Sequence, residues 1–344
     1  MIKEDMLQNT SPKLLFEKRS TLRVDAYFTI AIPTFNRSEL LKEAVESVLN
    51  QKYDDHFHLI IVDNNSEKQE IDEILRFLKK TKIPFNVTLK FFSNLKNIGM
   101  FPNWNRCVGL CETSYISILN DDDLIESDFL YDVSRNISEN MMLVVGITSF
   151  NNAKSEISFF NKFLKFRLMR FFLGRVQYLK FEDLFIGNPV KGSLGAVFKK
   201  DLLKELGGYK EEYFPSSDYY LTYEFWNHYG IKRLNKPLAR YRWSENESLK
   251  IEVLKGFLIW DVKLRNQMIL NKIKKPILIY RSFLKRIVRI NICLYKKINS
   301  DFNPYEIERN KYLYDGPYFC FFVKFRLLIL YFSIKLMNLV FIKR

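Results

Sequence analysis

Tyr115-Ile116-Ser117-Ile118-Leu119-Asn120-Asp121-Asp122-Asp123 decides how the rest of the chain is read. A buried strand that runs into three consecutive carboxylates is costly for a core that serves stability alone, because buried charge needs a partner. Mg²⁺ and Mn²⁺ supply one. They take one or two carboxylates and complete their shell with water and phosphate oxygens. The run therefore points to a metal–diphosphate site at the C-terminal edge of a sheet, where open α/β sheets bind ligands. The plain alternative is a solvated helix N-terminus, with acids facing the positive end of the helix dipole.

Working outward, residues 27–32 form a short β-rich run that ends at Pro33. Asn36 or Ser38 then caps a helix whose Leu40, Leu41, Ala44, Val45, Val48 and Leu49 share one face. Residues 57–62 are a second apolar strand, closed by Asp63-Asn64-Asn65-Ser66. Ile71, Ile74, Leu75 and Leu78 predict a second amphipathic helix, and residues 87–92, 115–119 and 143–150 predict three further strands. Strands alternating with helices of this length imply βαβ units and a mainly parallel α/β sheet. In such a sheet the polar strand ends at Thr34–Arg37, Asp63–Ser66 and Asn120–Asp123 gather on one edge and form a site.

The 344 residues allow one large domain and an appendage. A net charge of +15 calls for an acidic partner, whether phosphate, nucleic acid or anionic lipid. The basic excess concentrates in residues 159–180 and 250–344, interleaved with Phe, Leu and Ile. Cys107, Cys111, Cys293 and Cys320 read as neither a disulfide nor a zinc framework. Cys107 and Cys111 read as small hydrophobes on one helix face, and a reducing cytoplasm fits. His56, His58 and His228 make no metal cluster, and residues 1–25 lack a signal-peptide core. No Gly-x-Gly-x-x-Gly occurs, which argues against a dinucleotide dehydrogenase.

Three blocks together resemble the family 2 glycosyltransferases, nucleotide-sugar enzymes of the GT-A fold. They are Ile30-Ala31-Ile32-Pro33-Thr34-Phe35-Asn36-Arg37, Leu59-Ile60-Ile61-Val62-Asp63-Asn64-Asn65-Ser66, and the stretch from Asn97-Ile98-Gly99 through Asn103-Trp104-Asn105 to Asn120-Asp121-Asp122-Asp123. The resemblance implies that Pro33, Thr34, Asn36, Arg37 and Asp63 hold the nucleoside, with Asn97 and Asn103 lining the same pocket. It places Asp121 and Asp122 at the family's metal-binding carboxylates. Asp122 is the first choice for coordination, Asp123 the second candidate, and Asp121 also lines the nucleotide-sugar site. Asn120 stands where an acid is often found, so the choice among the three acids stays open. The implied cofactor is Mn²⁺ or Mg²⁺.

A fourth block, Gly207-Gly208-Tyr209 followed by Phe214-Pro215-Ser216-Ser217-Asp218, looks like the family's Gly-Gly-Phe segment and its Glu-Asp pair. The resemblance makes Asp218 the catalytic base, while Ser217 replaces the usual glutamate. The alternative for Asp218 is a helix N-cap. Tyr241-Arg242-Trp243 matches a Tyr-Arg-x-His region in part, with Trp243 at the histidine's place. Arg37, Lys191, Arg240 and Arg242 are candidate phosphate or acceptor contacts. The implied reaction is a single displacement with inversion at the sugar C1, from a nucleoside-diphosphate sugar, with a UDP-sugar the expected donor.

The expected organisation is a lead-in over 1–25 and a GT-A domain over 26–245, with a nucleotide-sugar half at 26–125 and an acceptor half at 126–245. A helical, basic-aromatic extension over 246–344 follows. Residues 159–172 and 318–342 mix aromatic and basic side chains, and the longest uncharged run of the latter, 327–334, is too short for a bilayer span of about 20 residues. An interfacial helix on an anionic membrane fits. The expected acceptor is then a saccharide or a lipid-linked saccharide at the inner face of the cell membrane, and nucleic acid is not an expected partner. Two other classes compete. A nucleotidyltransferase of related architecture would carry a Gly-rich loop after the first strand, and residues 33–37 contain no glycine. A non-enzymatic basic protein binding membrane or nucleic acid would not need acid-ended strands.

Overall fold

The computed structural model describes residues 11–22, 24–150, 175–243, 250–272 and 277–303. The basic-aromatic segments 159–172 and 318–342 lie outside the described residues. The chain forms two compact units. The first comprises Met1–Leu179, Val190–Lys210 and Leu221–Ser244, and the second Lys180–Pro189, Glu211–Tyr220 and Glu245–Arg344.

The first unit is built on a ten-stranded sheet. Its strands are β1 (Lys13–Lys18), β2 (Phe28–Thr34), β3 (Phe57–Asp63), β4 (Val87–Ser93), β5 (Tyr115–Ile118), β6 (Leu124–Ile125), β7 (Met142–Phe150), β8 (Val176–Tyr178), β9 (Ala196–Lys199) and β10 (Ile231–Arg242). The order is β1-β4-β3-β2-β5-β9-β7-β10-β6, with β8 also on β10. The long ladders β2–β3, β3–β4 and β7–β10 are parallel. The additions β1, β6, β8 and β9 pair antiparallel. This is the mainly parallel α/β fold expected of the chain, with all five predicted strands present. β1 was not anticipated; it folds part of the polar lead-in onto the sheet edge against β4.

Every residue of β2 is buried, which explains its unbroken apolar run. Helix α1 (Ser38–Leu49) covers the sheet with Leu41, Ala44, Val45, Val48 and Leu49, and α2 (Lys68–Lys80) with Ile74 and Leu78. Helix α3 (Met100–Leu110) buries Phe101, Trp104, Cys107 and Val108. Short helices α4 (Phe129–Ser134), α5 (Phe181–Ile186) and α6 (Lys200–Glu205) follow in chain order, then α7 (Ser217–His228). Strands β2, β3 and β4 step outward in one direction, and the chain then returns to place β5 on the other side of β2. That reversal between β2 and β5 is where an open α/β sheet leaves a crevice at its carboxyl ends.

The second unit contains α5, the start of α7, and the long helices α8 (Ile251–Lys272) and α9 (Ile277–Ile298). Leu258, Leu264 and Met268 of α8 and Leu284, Ile287 and Ile292 of α9 are buried. Phe181, Phe185 and Tyr280 form an aromatic cluster there. Among the described residues no helix is long and apolar enough to cross a membrane. Cys107 and Cys111 are free and buried, as expected. Cys293 is disulfide-bonded, which corrects the expectation that no cysteine pairs.

Candidate active site

The polar ends of β2, β3 and β5 meet at the reversal. In register, Thr34 lies beside Asp63 and Ala31 beside Ile118, and the Leu119 amide continues that ladder onto the Ala31 carbonyl at 2.9 Å. Thr34 is buried, and its hydroxyl donates to Asp121 Oδ2 at 2.9 Å. Arg37 Nη1 donates to Asp121 Oδ1 at 3.3 Å and to Asp122 Oδ2 at 3.2 Å. Thr34, Arg37, Asp121 and Asp122 are thus brought into direct contact.

The loop after β2 is shaped by Asn36, whose φ of 51° lies in the left-handed region that Asn tolerates. Its amide donates to Ser66 Oγ at 2.8 Å, and its Oδ1 accepts from the Glu67 amide at 2.9 Å. The loops after β2 and β3 are therefore stapled together. Pro33 is the penultimate residue of β2, paired with Val62.

Asp63 is fully buried and accepts hydrogen bonds from the Asn65 and Ser66 amides and, at 2.7 Å, from the Ser93 hydroxyl. Its observed work is to order the β3 loop. Asn97 and Asn103 belong to an asparagine network that sequence reasoning only half found. Asn64 Nδ2 donates to Asn97 Oδ1 at 2.8 Å, and Asn94 Nδ2 donates to Asn64 Oδ1 at 3.0 Å and to Asn103 Oδ1 at 2.8 Å. Asn103 in turn donates to the Val62 carbonyl at 3.0 Å.

The three acids differ. Asp123 is 0 % exposed, and its two oxygens accept from the Arg242 amide at 2.8 Å and from Asn120 Nδ2 at 2.8 Å. The expectation that Asp123 takes metal gains no support from this geometry, because both oxygens are turned into the protein. Asp122 is 9 % exposed, the most of the three, and its carbonyl accepts from Arg242 Nε at 2.8 Å. Arg242 also reaches Glu43 of α1 with Nη2 at 2.6 Å. Burial pushes the Asp121 carboxyl up to about 6 although Arg37 opposes it. Burial, then the Asp122 charge, pushes Asp123 up to about 7, and burial also raises Asp122. Two arginines do not offset three carboxylates here. The carboxylate oxygens of Asp121 and Asp122 are hard donors of the kind a divalent cation takes, and among the described residues no three acidic, His or Cys side chains form a closed cage.

A pH effect follows from Asp121. A folded-state value near 6 lies above the ordinary carboxylate value of 3.8, so between them the native chain holds a proton that the unfolded chain has lost. Stability from this group therefore falls as pH rises from about 4 to 7, by about 3 kcal/mol at most. His58 acts in the opposite sense, because burial lowers it to about 4. The check is consequently a difference: in urea unfolding at pH 4.5 and 7.5, Asp121→Asn gains stability relative to the parent at the higher pH.

Behind the acid loop, Gly208 holds φ at +66°, and a Cβ there would lie 2.4 Å from Asn105 Oδ1. Asn105 has no freedom to retreat. It donates to the Tyr209 carbonyl at 2.7 Å and accepts from the Tyr209 amide at 2.9 Å. Tyr209 stacks on Phe101, meets Trp104 edge-on and hydrogen-bonds Ser193. Gly208→Ala is expected to cost about 2–4 kcal/mol through backbone strain and lost hydrogen bonds, read as a lower denaturant midpoint.

The family model described as glycosyl transferase family 2 matches residues 29–207, just over half of the chain. The chain belongs to glycosyl transferase family 2. This family 2 glycosyltransferase is 26 % identical over 226 residues to an uncharacterized glycosyltransferase of Methanocaldococcus jannaschii, covering 62 % of this chain and 70 % of the relative. It is 31 % identical over 120 residues to the GalNAc(5)-diNAcBac-PP-undecaprenol beta-1,3-glucosyltransferase of Campylobacter jejuni, covering 34 % of this chain and 37 % of that relative. Its fold matches Staphylococcus aureus TarS 1-349 in complex with UDP, with a TM-score of 0.55, 16 % identity, and coverage of 83 % of this chain and 76 % of that one. It also matches the mannosyltransferase PcManGT of Pyrobaculum calidifontis in complex with GDP-Man and Mn²⁺, with a TM-score of 0.53, 15 % identity and coverage of 82 % and 77 %.

In the second unit of this family 2 enzyme, Asp218 is the second residue of α7 and accepts from Asn188 Nδ2 at 2.7 Å. It sits inside the first helical turn, so it is not the residue before the helix that a capping role predicts. Arg265, 2 % exposed, binds the Phe185 and Ile186 carbonyls at 2.7 and 3.2 Å and pairs with Asp261 at 3.0 Å, which fixes the end of α5 just ahead of Asn188. Asn64, Asn94, Glu43 and Asn188 were missed from sequence. Asn94 carried the available signal, since it follows β4 as Asn64 follows β3.

Proposed function

We propose that this family 2 glycosyltransferase moves a sugar from a nucleoside-diphosphate donor, UDP-linked in first expectation, to a saccharide acceptor, with inversion at C1. The observation that carries the donor reading is the convergence of Thr34, Arg37, Asp121 and Asp122 at the sheet reversal, with more buried negative charge than the arginines offset. The TarS structures with UDP and UDP-GlcNAc, and PcManGT with GDP-Man and Mn²⁺, support a nucleotide-sugar donor of this kind.

Pro33, Thr34, Asn36, Arg37, Asp63, Asn97 and Asn103 form the donor pocket in this reading, with Asp121 beside the diphosphate. Asp122, next to Asp121, would hold Mn²⁺ or Mg²⁺. When bound, such a cation stabilises charge on the departing diphosphate. Arg37 orients the two acids. Asp218, held by Asn188, accepts the proton of the attacking hydroxyl. One base and no enzyme nucleophile make this a single displacement.

The acceptor in this reading is a lipid-linked saccharide at the inner face of the cell membrane, in surface-polysaccharide synthesis. The net charge of +15 supports an anionic surface, and the Campylobacter jejuni relative is named for an undecaprenol-linked saccharide. The test of the donor reading is calorimetry with UDP, GDP, CDP and dTDP, with and without Mn²⁺. Tight binding of UDP only with metal is expected. A well-folded protein that binds none of the four overturns the reading.

A further inference from the structure

The second unit presents a surface that the donor chemistry does not use. Helix α9 contains Arg281, Lys285, Arg286, Arg289, Lys296 and Lys297 and no acidic residue. All six cations are exposed. Among the described side chains of 280–297, every exposed one is a cation. At 100° per residue they occupy one arc of about 160°. The opposite side of the helix, with Phe283, Leu284, Ile287 and Val288, is buried. Arg281, Arg286, Arg289 and Lys297 pair with no acid among the described residues. Helix α8 differs: its exposed positions are Glu252, Ile259, Lys263, Gln267, Leu270 and Asn271, which carry almost no net charge.

We propose that the cationic face of α9 is the surface by which this protein docks on anionic phospholipid headgroups. The argument is charge complementarity. A stripe about 24 Å long from Arg281 to Lys297 presents several cations to a plane at once, and each adds about fivefold to partition onto an anionic bilayer. Nucleic acid fits the stripe less well, because no exposed aromatic side chain interrupts it to stack a base. The sequence of 317–344 has the same acid-free character, mixing Phe, Leu and Ile with Lys and Arg. The inference rests on the membrane reading above and narrows it to one helix face.

The experiment is cosedimentation of the full chain with phosphatidylserine–phosphatidylcholine vesicles and with pure phosphatidylcholine vesicles. Arg281→Gln/Arg286→Gln/Arg289→Gln is compared with Lys79→Gln/Lys80→Gln/Lys82→Gln, which removes equal charge from exposed positions of the first unit. The α9 variant is expected to lose affinity for anionic vesicles by at least a hundredfold at an unchanged melting temperature, with the control triple close to the parent. Equal losses in both triples, or tighter retention of the parent on single-stranded DNA than on anionic vesicles, overturn the proposal. Unchanged binding by the α9 variant overturns it and leaves the membrane reading standing, whereas no vesicle binding by the parent removes both.

Discussion

Asp122→Ala is expected to abolish the metal-dependent part of UDP binding, lowering affinity in Mn²⁺ at least a hundredfold while leaving weak metal-free binding in place. Loss of groups that only orient a metal ligand costs 10–100-fold, and loss of the ligand itself costs no less. Asp122 is the least buried member of the acid run and shares Arg37 with Asp121. The variant should fold, because its carbonyl, which Arg242 grips, is retained. Asp123→Asn is the informative partner. Its buried oxygens serve the Arg242 amide and Asn120, so it should lose stability and keep its metal response. The reverse pattern, with Asp122→Ala responding to Mn²⁺ and Asp123→Asn not, would transfer the metal to Asp123.

Asp218→Asn is expected to reduce kcat by about 10²–10⁴, the range spanned by general bases, with nucleotide affinity unchanged. The substitution is nearly isosteric. An asparagine at 218 can still accept from Asn188 through its carbonyl oxygen, so that bond is kept while the ionisable group is lost. Initial rates of nucleoside-diphosphate release, paired with calorimetric affinity for UDP, separate the two quantities. A variant with parental kcat would remove Asp218 from the chemistry.

The legibility of this chain followed burial. β2, β3, β4 and β5 could be read because a strand covered on both faces is an apolar run, and their polar ends announced the site. β8 could not, since three residues carry no period, and β9 could not, since its four residues run straight into α6 with no loop to mark their end. In β1, Leu14 and Phe16 stand among lysines and a glutamate at a sheet edge, where charge is ordinary and hides the pattern. Within the site, Thr34, Arg37, Asp121 and Asp122 were legible as strand ends. The inward turn of Asp123 was not. It depends on β10 lying against β6 in a register that pairs Ala239 with Ile125, and so brings Arg242 beside an acid 119 positions away. No local pattern encodes that.

β10 also bears on where this enzyme can be cut. The family match ends at residue 207, yet β10 starts at Ile231 and is the partner of β7 along its whole length. A chain trimmed to the matched segment would keep every donor-site residue except those β10 supplies, and would fail twice. β7 would show a long unpaired edge open to strand addition from other molecules, and Asp123 would lose its backbone donor. The smallest soluble catalytic fragment must therefore reach at least Arg242, and a fragment library scored by solubility should recover no chain that ends before it.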